Sequence, residues 1–481
     1  MSVAVFLSEH GRALAASALV AVLALLIRRL RSANRATHAG SNLNRSTDFK
    51  LGAVAAASAS GARDAQREPG EWIPVQFDYP RVEPETADIS TVKPIPYRPF
   101  RWGEYHVTMG IRSMPSNEWI EIDQQFFDYH KIVGYRIKTR GDRAVKINDA
   151  QPGIVGSGHA AAQEFVHELA EYLSQRYPAL YQAVRKEKDT SGWYGQGEIK
   201  TITIIPLQET YDLDEQDPLI VASLLTQEDY TIMIEGTDGR YYLQAGAICI
   251  PGFWRLEDKL GMPLDEIHLT GNVPHYQSKL HLSMGRFFRR LPVDKPVVRN
   301  NYSFQVVRPP APAADTDTGA DALAAVDPTE LAWSRTMHGS EDGAAFERSA
   351  VIRGTLAPSN QLAHAHASPE GKDEKRERTK VPLDPQTVYL RTERQTLRRL
   401  PRTGGIVFTI RVYQTPVVQL AQEPGVPGRL ASSVRGWSEE VAQYKDLFAY
   451  EDILEYLDKC HAEQVQTGFV KPDERISAYP M

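Results

Sequence analysis

The sequence contains little cysteine and no excess of basic charge, and both absences exclude classes of function. The 481 residues include only Cys249 and Cys460. Two cysteines can form one bridge at most, so the chain is not a disulfide framework, and they are too few for an iron–sulfur cluster. The formal net charge is −6, with 55 basic against 61 acidic residues. A surface that follows nucleic-acid phosphates needs a basic excess, so we expect no nucleic-acid partner.

Several catalytic motifs are also absent. The chain has no Walker-type phosphate loop, no G-x-G-x-x-G, no paired C-x-x-C and no G-x-S-x-G. His167-Glu168 begins a zincin-like pattern, but Glu171 and Tyr172 stand where the second histidine would be needed. The sequence therefore offers no strong serine or cysteine nucleophile and no common nucleotide site.

The N-terminus predicts a membrane anchor. Ala13 to Ile27 is apolar apart from one serine, and the cluster Arg28-Arg29-Leu30-Arg31 follows it. Because the basic residues lie on the C-terminal side, the positive-inside rule places the main domain in the cytosol. We expect residues 1–31 to form a single-pass anchor, with the endoplasmic reticulum as the expected membrane, and residues 32–70 to form a flexible tether. A mitochondrial presequence and a cleaved secretory signal are the alternatives.

The remaining sequence has the pattern of one globular α+β domain. Its hydrophobic content is 42% and its aromatic content is 9%. A proline-rich arm starts near Trp72, and residues 160–177 have apolar side chains at helical spacing. Two stretches, 231–252 and 387–413, alternate like hairpins, with turns at Thr237-Asp238-Gly239 and Gly404-Gly405. We expect the domain to comprise 71–308 and 383–470, with 309–382 as a disordered insertion.

A few polar residues stand out in well-patterned segments. Arg391, Glu393 and Gln395 fall on one face of a predicted strand, and Arg394 faces the other way. An exposed edge strand would explain them, and so would the wall of a buried site, where a guanidinium–carboxylate pair needs further partners. His268 lies in a predicted loop, with His275 and His281 as rival ligands on the same segment. The acidic run Gln227-Glu228-Asp229 is more typical of a solvated end, and Cys249 of a buried core residue than of a haem thiolate.

Five ordered blocks resemble a known family. LRTERQTLRRLPRTGGIVFTI, from Leu390 to Ile410, resembles the signature of the haem-dependent oxidative N-demethylase α-subunit-like family. MGIRSMPSNEWIEID, TQEDYTIM, AGAICIPGFWRLEDKLGMPLDEIHLTGNVPHY and FFRRLPVDKPVVRNNYSFQV agree with other blocks in the same order. The resemblance covers about 95–307 and 384–465. With its N-terminal anchor, the chain resembles a membrane-anchored member of fungal type.

The resemblance implies a PAS-like fold, in which an antiparallel sheet and surrounding helices enclose haem b. It implies that His268 is the metal ligand and that Arg299, Arg394 and Gln395 bind the cofactor. Glu393 and Arg391 are implied as catalytic residues. The implied activity is oxidation of an amine or related small metabolite by O₂, with electrons from an external NADPH-dependent flavin and iron–sulfur reductase. A haem or small-ligand sensor without turnover and a non-catalytic scaffold are the alternatives, because a fold does not determine a function.

Overall fold

A computed structural model describes residues 67–251, 254–306, 383–445 and 447–471. The predicted anchor at 1–31, all but the last four residues of the predicted tether and the predicted insertion at 309–382 lie outside the described residues. Among the helices of the described part, none is long and apolar enough to cross a bilayer. The anchor is therefore still a prediction.

An antiparallel sheet of seven strands forms the centre of the described domain. Its strand order is β1-β8-β9-β10-β6-β7-β2, and strands β3, β4 and β5 form a separate small antiparallel sheet. The strands are β1 (Arg112–Ser113), β2 (Val145–Ile147), β3 (Tyr181–Arg185), β4 (Ile199–Ile204), β5 (Glu209–Asp212), β6 (Glu228–Glu235), β7 (Tyr241–Ala247), β8 (Val297–Val306), β9 (Val388–Arg399) and β10 (Ile406–Pro416).

Helices complete an α+β domain. They are α1 (Phe126–Arg140), α2 (His159–Arg176), α3 (Pro218–Leu225), α4 (Leu264–Thr270), α5 (His281–Arg290), α6 (Val417–Leu420), α7 (Val426–Arg435), α8 (Glu439–Tyr444) and α9 (Glu451–Gln466). A π-helical turn, Tyr276–Leu280, leads directly into α5. The predicted helix at 160–177 is confirmed as α2.

Both predicted hairpins are confirmed, but the edge-strand interpretation of the second is wrong. β6 pairs with β7 and β9 pairs with β10, each across a short turn. Gly404 has φ +72° in the second turn, and a Cβ added there would meet the ring of Trp72, so a side chain would be strained. β9 lies between β8 and β10, inside the sheet. Its polar side chains are therefore not those of a solvated edge.

The two faces of the sheet are covered differently. Against one face, α2 contributes a densely apolar core that includes Phe165 and Leu169, both fully buried. At the other end of that face, residues of α6, α7 and α9 pack on Tyr302 and Leu390. The opposite face is covered by the π-helical turn and α5, which contact Leu397 at one end of β9. This second cover leaves accessible surface further along the strand.

The proline-rich arm lies against the domain as predicted. The Trp72 indole N–H donates to the Pro401 carbonyl over 2.9 Å, and the Tyr105 amide donates to Gly436 over 3.1 Å. Ordered contacts begin slightly before the predicted boundary at residue 71, since the Arg67 side chain is buried and ion-paired with Glu235. The arm thus joins the two ends of the sheet.

Candidate functional site

Five polar residues share one face in the middle of the sheet. Arg299 pairs in register with Gln395, Asn301 with Glu393, and Arg391 lies two residues before Glu393 on the same strand. In an antiparallel sheet, directly paired residues point to the same side, and side chains two positions apart do as well. The register therefore brings together Arg299, Asn301, Arg391, Glu393 and Gln395, as the alternation in β9 predicts for its three members.

Glu393 is the centre of this polar group. Arg391 Nε donates to Glu393 Oε1 over 3.0 Å, and Gln395 Nε2 donates to Oε2 over 2.9 Å. Burial alone would raise the pKa of Glu393, but the Arg391 charge and the hydrogen bonds outweigh it and hold that pKa below its ordinary value. Glu393 is thus an ionised carboxylate, and its side chain keeps 17% of its surface accessible although it lies on an interior strand. The Glu393 side chain therefore borders a space that solvent can enter.

Several atoms around that space have no partner. Arg391 Nη1, Gln395 Oε1 and Arg299 Nε are buried without a hydrogen bond. Arg299 forms no ion pair within the described residues, and burial lowers its pKa. Buried polar atoms are almost always satisfied in native proteins, so unsatisfied ones that surround a common space indicate a ligand site.

His268 lies across from this polar face in a suitable state for binding a metal. The structure places it in α4, so its prediction as a loop residue is wrong. Its Nδ1 lies 2.7 Å from the Leu264 carbonyl oxygen, so Nδ1 carries the ring proton and donates a hydrogen bond to that oxygen. The ring stacks on Tyr276 with centroids 4.7 Å apart. Burial lowers the pKa of His268 to about 4, and the charges of Lys259 and Arg299 act in the same direction. The ring is therefore neutral at pH 7, with the Nε2 lone pair available.

Lys259 is a site residue that the sequence reasoning missed. Burial lowers its pKa to about 8, and Glu393 is one of the charges that act on it. Its ammonium lies 4.4 Å from the centre of the Trp254 ring and makes no hydrogen bond within the described part of the chain. The only available signal was its place in the central block that contains His268.

Two further missed residues come from the end of α8. Burial raises the pKa of Tyr444 and lowers that of Lys445 to about 8. The charges of Glu393 and Arg299 also act on both pKa values. Tyr444 nevertheless keeps 40% of its surface accessible. The Tyr444 ring is therefore accessible to a ligand. No local pattern in SEEVAQYKDL predicts this, because the contact with β8 spans more than 140 residues of sequence.

The remaining candidates lie elsewhere. Arg394 projects from the opposite face of the sheet, where its Nε lies 2.9 Å from Glu121. His275 Nε2 lies 3.3 Å from the Ser438 hydroxyl, and His281 is exposed. Cys249 is buried. None of these four joins the group around Glu393.

The acidic run at the start of β6 is buried, so its interpretation as a solvated end is wrong. Asp229 accepts hydrogen bonds from the backbone N–H groups of Cys249 and Ile250, over 2.7 and 3.0 Å. Burial raises the pKa of both Glu228 and Asp229 to about 7. Asp229 thereby fixes the backbone at Ile250, whose carbonyl in turn accepts a hydrogen bond from Arg391. Through these hydrogen bonds, Asp229 helps to position Arg391 in the site.

The geometry suits a haem. A neutral imidazole is a common axial ligand, and guanidinium or ammonium groups without partners suit propionates. Ile410 and Val412 pair in register with Gln395 and Glu393 and are buried in the core beside them. The chain matches the sequence profile of the family described as haem-dependent oxidative N-demethylase, alpha subunit-like, over residues 110–338 and 334–455. The chain belongs to this family.

Family membership gives the cleft a cofactor that its residues can hold. His268 would bind the iron through Nε2, and Arg299 and Lys259 would hold the propionates. Bound haem would supply the redox chemistry by which O₂ oxidises a substrate. The protein contributes the rest: Leu264 fixes the histidine tautomer, and Arg391 keeps Glu393 ionised.

Proposed function

We propose that this protein is a haem-dependent oxidoreductase that removes an N-methyl group from an amine. In the balanced reaction, the N-methylamine, O₂, two electrons and two protons yield the demethylated amine, formaldehyde and water. The observation that carries the proposal is the arrangement of His268, neutral and fixed through Nδ1, near the cations Arg299 and Lys259, neither of which forms an ion pair within the described residues. A PAS-like enclosure of the cofactor between sheet and helices agrees with the position of this group.

Within this proposal, Glu393 and Arg391 act on substrate and protons. An ionised carboxylate attracts an ammonium substrate and accepts its proton, and the amine must lose that proton before its N-methyl group is oxidised easily. Arg391 Nη1 has no partner and can donate a hydrogen bond to a ligand in the same space. Gln395 Oε1 offers an acceptor beside it. Arg394 is ion-paired on the other side of the sheet and takes a structural part instead.

The electrons come from outside the chain in this proposal. The two cysteines cannot hold an iron–sulfur cluster, and Cys249 is buried in the core. We propose an external NADPH-dependent flavin and iron–sulfur reductase as the redox partner. A mixture that contains the haem-loaded chain, NADPH and a generic reductase should consume O₂ only when an amine is added.

A spectroscopic titration tests haem binding. The full-length chain is titrated with haem, and we expect a Soret band at one haem per chain. His268→Ala should lose the band or shift it to that of unliganded haem, whereas His281→Ala, an exposed histidine of the neighbouring helix, should behave as the wild type. A wild-type chain that takes up no haem would leave the non-catalytic scaffold as the function. Haem uptake without amine-dependent O₂ consumption would favour the sensor.

We also propose that residues 1–31 attach the protein to a membrane, with the main domain on the cytosolic side. Fluorescent fusions with and without these residues test this directly. Loss of an endoplasmic-reticulum pattern on deletion supports the anchor, and a mitochondrial pattern in the complete fusion would support the presequence.

A further inference from the structure

The cations around Glu393 fall into two groups at different ends of the cleft. Leu260 and Ile267, the chain neighbours of Lys259 and His268, pack against the cluster that includes Leu397 at one end of β9. Arg299 pairs in register with Gln395, the next residue of β9 on that face. Lys445 instead contacts Asn301 and Tyr302, further along β8. Lys259 and Arg299 therefore lie towards the histidine end, and Lys445 lies beyond Arg299.

Lys445 is held in place but keeps one donor unused. Its Nζ donates to Asn301 Oδ1 over 3.2 Å and to the Tyr302 carbonyl over 2.5 Å. It also lies over the rings of Tyr302 and Trp437, 4.7 and 5.1 Å from their centres. An ammonium has three N–H donors, so one is left without a described partner. The side chain is therefore oriented, which a solvated surface lysine would not be.

No carboxylate neutralises this ammonium within the described residues. Asn301 and Tyr302 are uncharged, and Glu393, the one carboxylate that acts on Lys445, is already engaged by Arg391 at 3.0 Å. A desolvated charge without a counter-charge is costly, and such groups are normally paired or bind a ligand. Tyr444, the preceding residue, has a raised pKa and therefore keeps its proton, so its hydroxyl can donate.

The charges of the cleft leave one cation unused after haem is bound. Arg391 and Glu393 neutralise each other, which leaves Arg299, Lys259 and Lys445. Haem carries two propionates, and the two cations at the histidine end are placed to take them. Lys445 is the third. An anionic group other than haem is needed to satisfy it.

We infer that the substrate is an amine that also carries a carboxylate, such as an N-methylated amino acid, and that Lys445 binds this carboxylate with the Tyr444 hydroxyl as second donor. The inference rests on the proposed demethylation at the same site and specifies its substrate class. The ammonium of such a zwitterion would face Glu393, and its carboxylate would face Lys445. Lys445 Nζ lies 3.2 Å from Asn301 Oδ1, and Asn301 pairs in register with Glu393, so the two groups are near enough for one small molecule to reach both.

Calorimetry with matched ligands tests the inference. The full-length chain, with and without haem, is titrated with N-methylglycine and with N-methylglycinamide, which keeps the amine but replaces the carboxylate by an uncharged amide. We expect the wild type to bind the carboxylate at least tenfold more tightly than the amide. Lys445→Met should reduce that ratio to about one, Lys445→Arg should retain most of it, and Tyr444→Phe should reduce it a few-fold. Lys279→Met, which changes an exposed lysine before α5, should leave the ratio unchanged.

The outcomes separate the inference from the proposed function. Equal affinity of the wild type for both ligands, or a preference that survives in Lys445→Met, would overturn the carboxylate inference whether or not haem binds. A chain that takes up no haem would overturn the proposed function, while the affinity ratio in the haem-free protein would still decide the role of Lys445. If Lys445→Met fails to fold, the ratios for the wild type, Lys445→Arg and Tyr444→Phe carry the test.

Discussion

The protonation of His268 makes a quantitative prediction about stability. In the folded protein its pKa is lowered to about 4 from the ordinary 6.5, mainly by burial. As the pH falls through 6.5, the unfolded chain takes up this proton and the folded chain does not. The unfolded state is therefore favoured increasingly until the pH approaches 4, where the folded state is protonated too. The stability contributed by neutral His268 is complete above pH 6.5 and is lost between 6.5 and 4.

The magnitude follows from the difference between the two pKa values. At ~1.4 kcal/mol per pH unit, the fall from 6.5 to about 4 sets an upper bound of about 3 kcal/mol on the loss. Roughly 2 kcal/mol of this loss occurs between about pH 7 and about pH 5, a range in which most domains stay folded. Because His268 keeps some accessible surface, the measured value should fall below this bound.

Urea denaturation of the haem-free chain measures this loss. His268→Gln is the informative variant, since an amide N–H can still donate to the Leu264 carbonyl and does not titrate. The free energy of unfolding of the wild type should fall by up to roughly 2 kcal/mol more than that of the variant between about pH 7 and pH 5. Asp229 and Glu228 titrate in both proteins and cancel in the difference. His281→Gln, at an exposed site, should follow the wild type. Coincident pH profiles for wild type and His268→Gln would refute the desolvated neutral imidazole, and with it the case for a ready haem ligand.

Three other predictions concern activity and packing. Glu393→Gln should keep haem, judged by its Soret band, but should lower amine-dependent O₂ consumption at least tenfold, because the carboxylate that accepts the substrate proton is lost. Glu266→Gln, on the exposed side of α4, should leave O₂ consumption unchanged. Unchanged activity in Glu393→Gln would remove this residue from the site. Arg398→Met should lower the free energy of unfolding in urea by about 3 to 5 kcal/mol, because it leaves the buried carboxylate of Glu168 on α2 without its ion-pair partner. A loss below about 1 kcal/mol would contradict a stabilising Arg398–Glu168 pair. Gly404→Ala should lower the melting temperature, because Gly404 has φ +72° and the added Cβ would lie 2.4 Å from the Trp72 ring. Gly285→Ala, in open space on α5, should raise it, and equal effects would argue against the strained turn.

The sequence predicts the frame of the site because the frame depends on local pattern. Alternation over 12 residues and a Gly-Gly turn are enough to predict the β9–β10 hairpin and to place Arg391, Glu393 and Gln395 on one face. Resemblance over ordered blocks adds Arg299 on the neighbouring strand, since the register of β8 against β9 is a property of the fold rather than of either segment.

The residues that sequence reasoning misplaced depend on distant partners. Glu228 and Asp229 resemble solvated acids because nothing near them in sequence neutralises them; in the fold, Arg411 acts on Glu228 and the backbone at Cys249 and Ile250 holds Asp229. α4 has only seven residues, too few for a helical period to stand out between a proline and a glycine. Lys445 meets its partners across more than 140 residues.

The two sides of β9 show why its polarity is functional on one side and structural on the other. On the α2 side, the buried guanidinium groups of Arg394, Arg398 and the neighbouring Arg411 each meet a buried or nearly buried carboxylate, at 2.9, 2.5 and 2.7 Å. On the cleft side, Arg391 pairs with Glu393 at 3.0 Å, but Arg299 and Lys259 form no ion pair within the described residues, although the charge of Glu393 acts on both. A desolvated cation without an ion-pair partner is costly unless a ligand completes it. We therefore expect anions to bind on the cleft side, and we expect the ion pairs on the other side to hold the sheet that positions them.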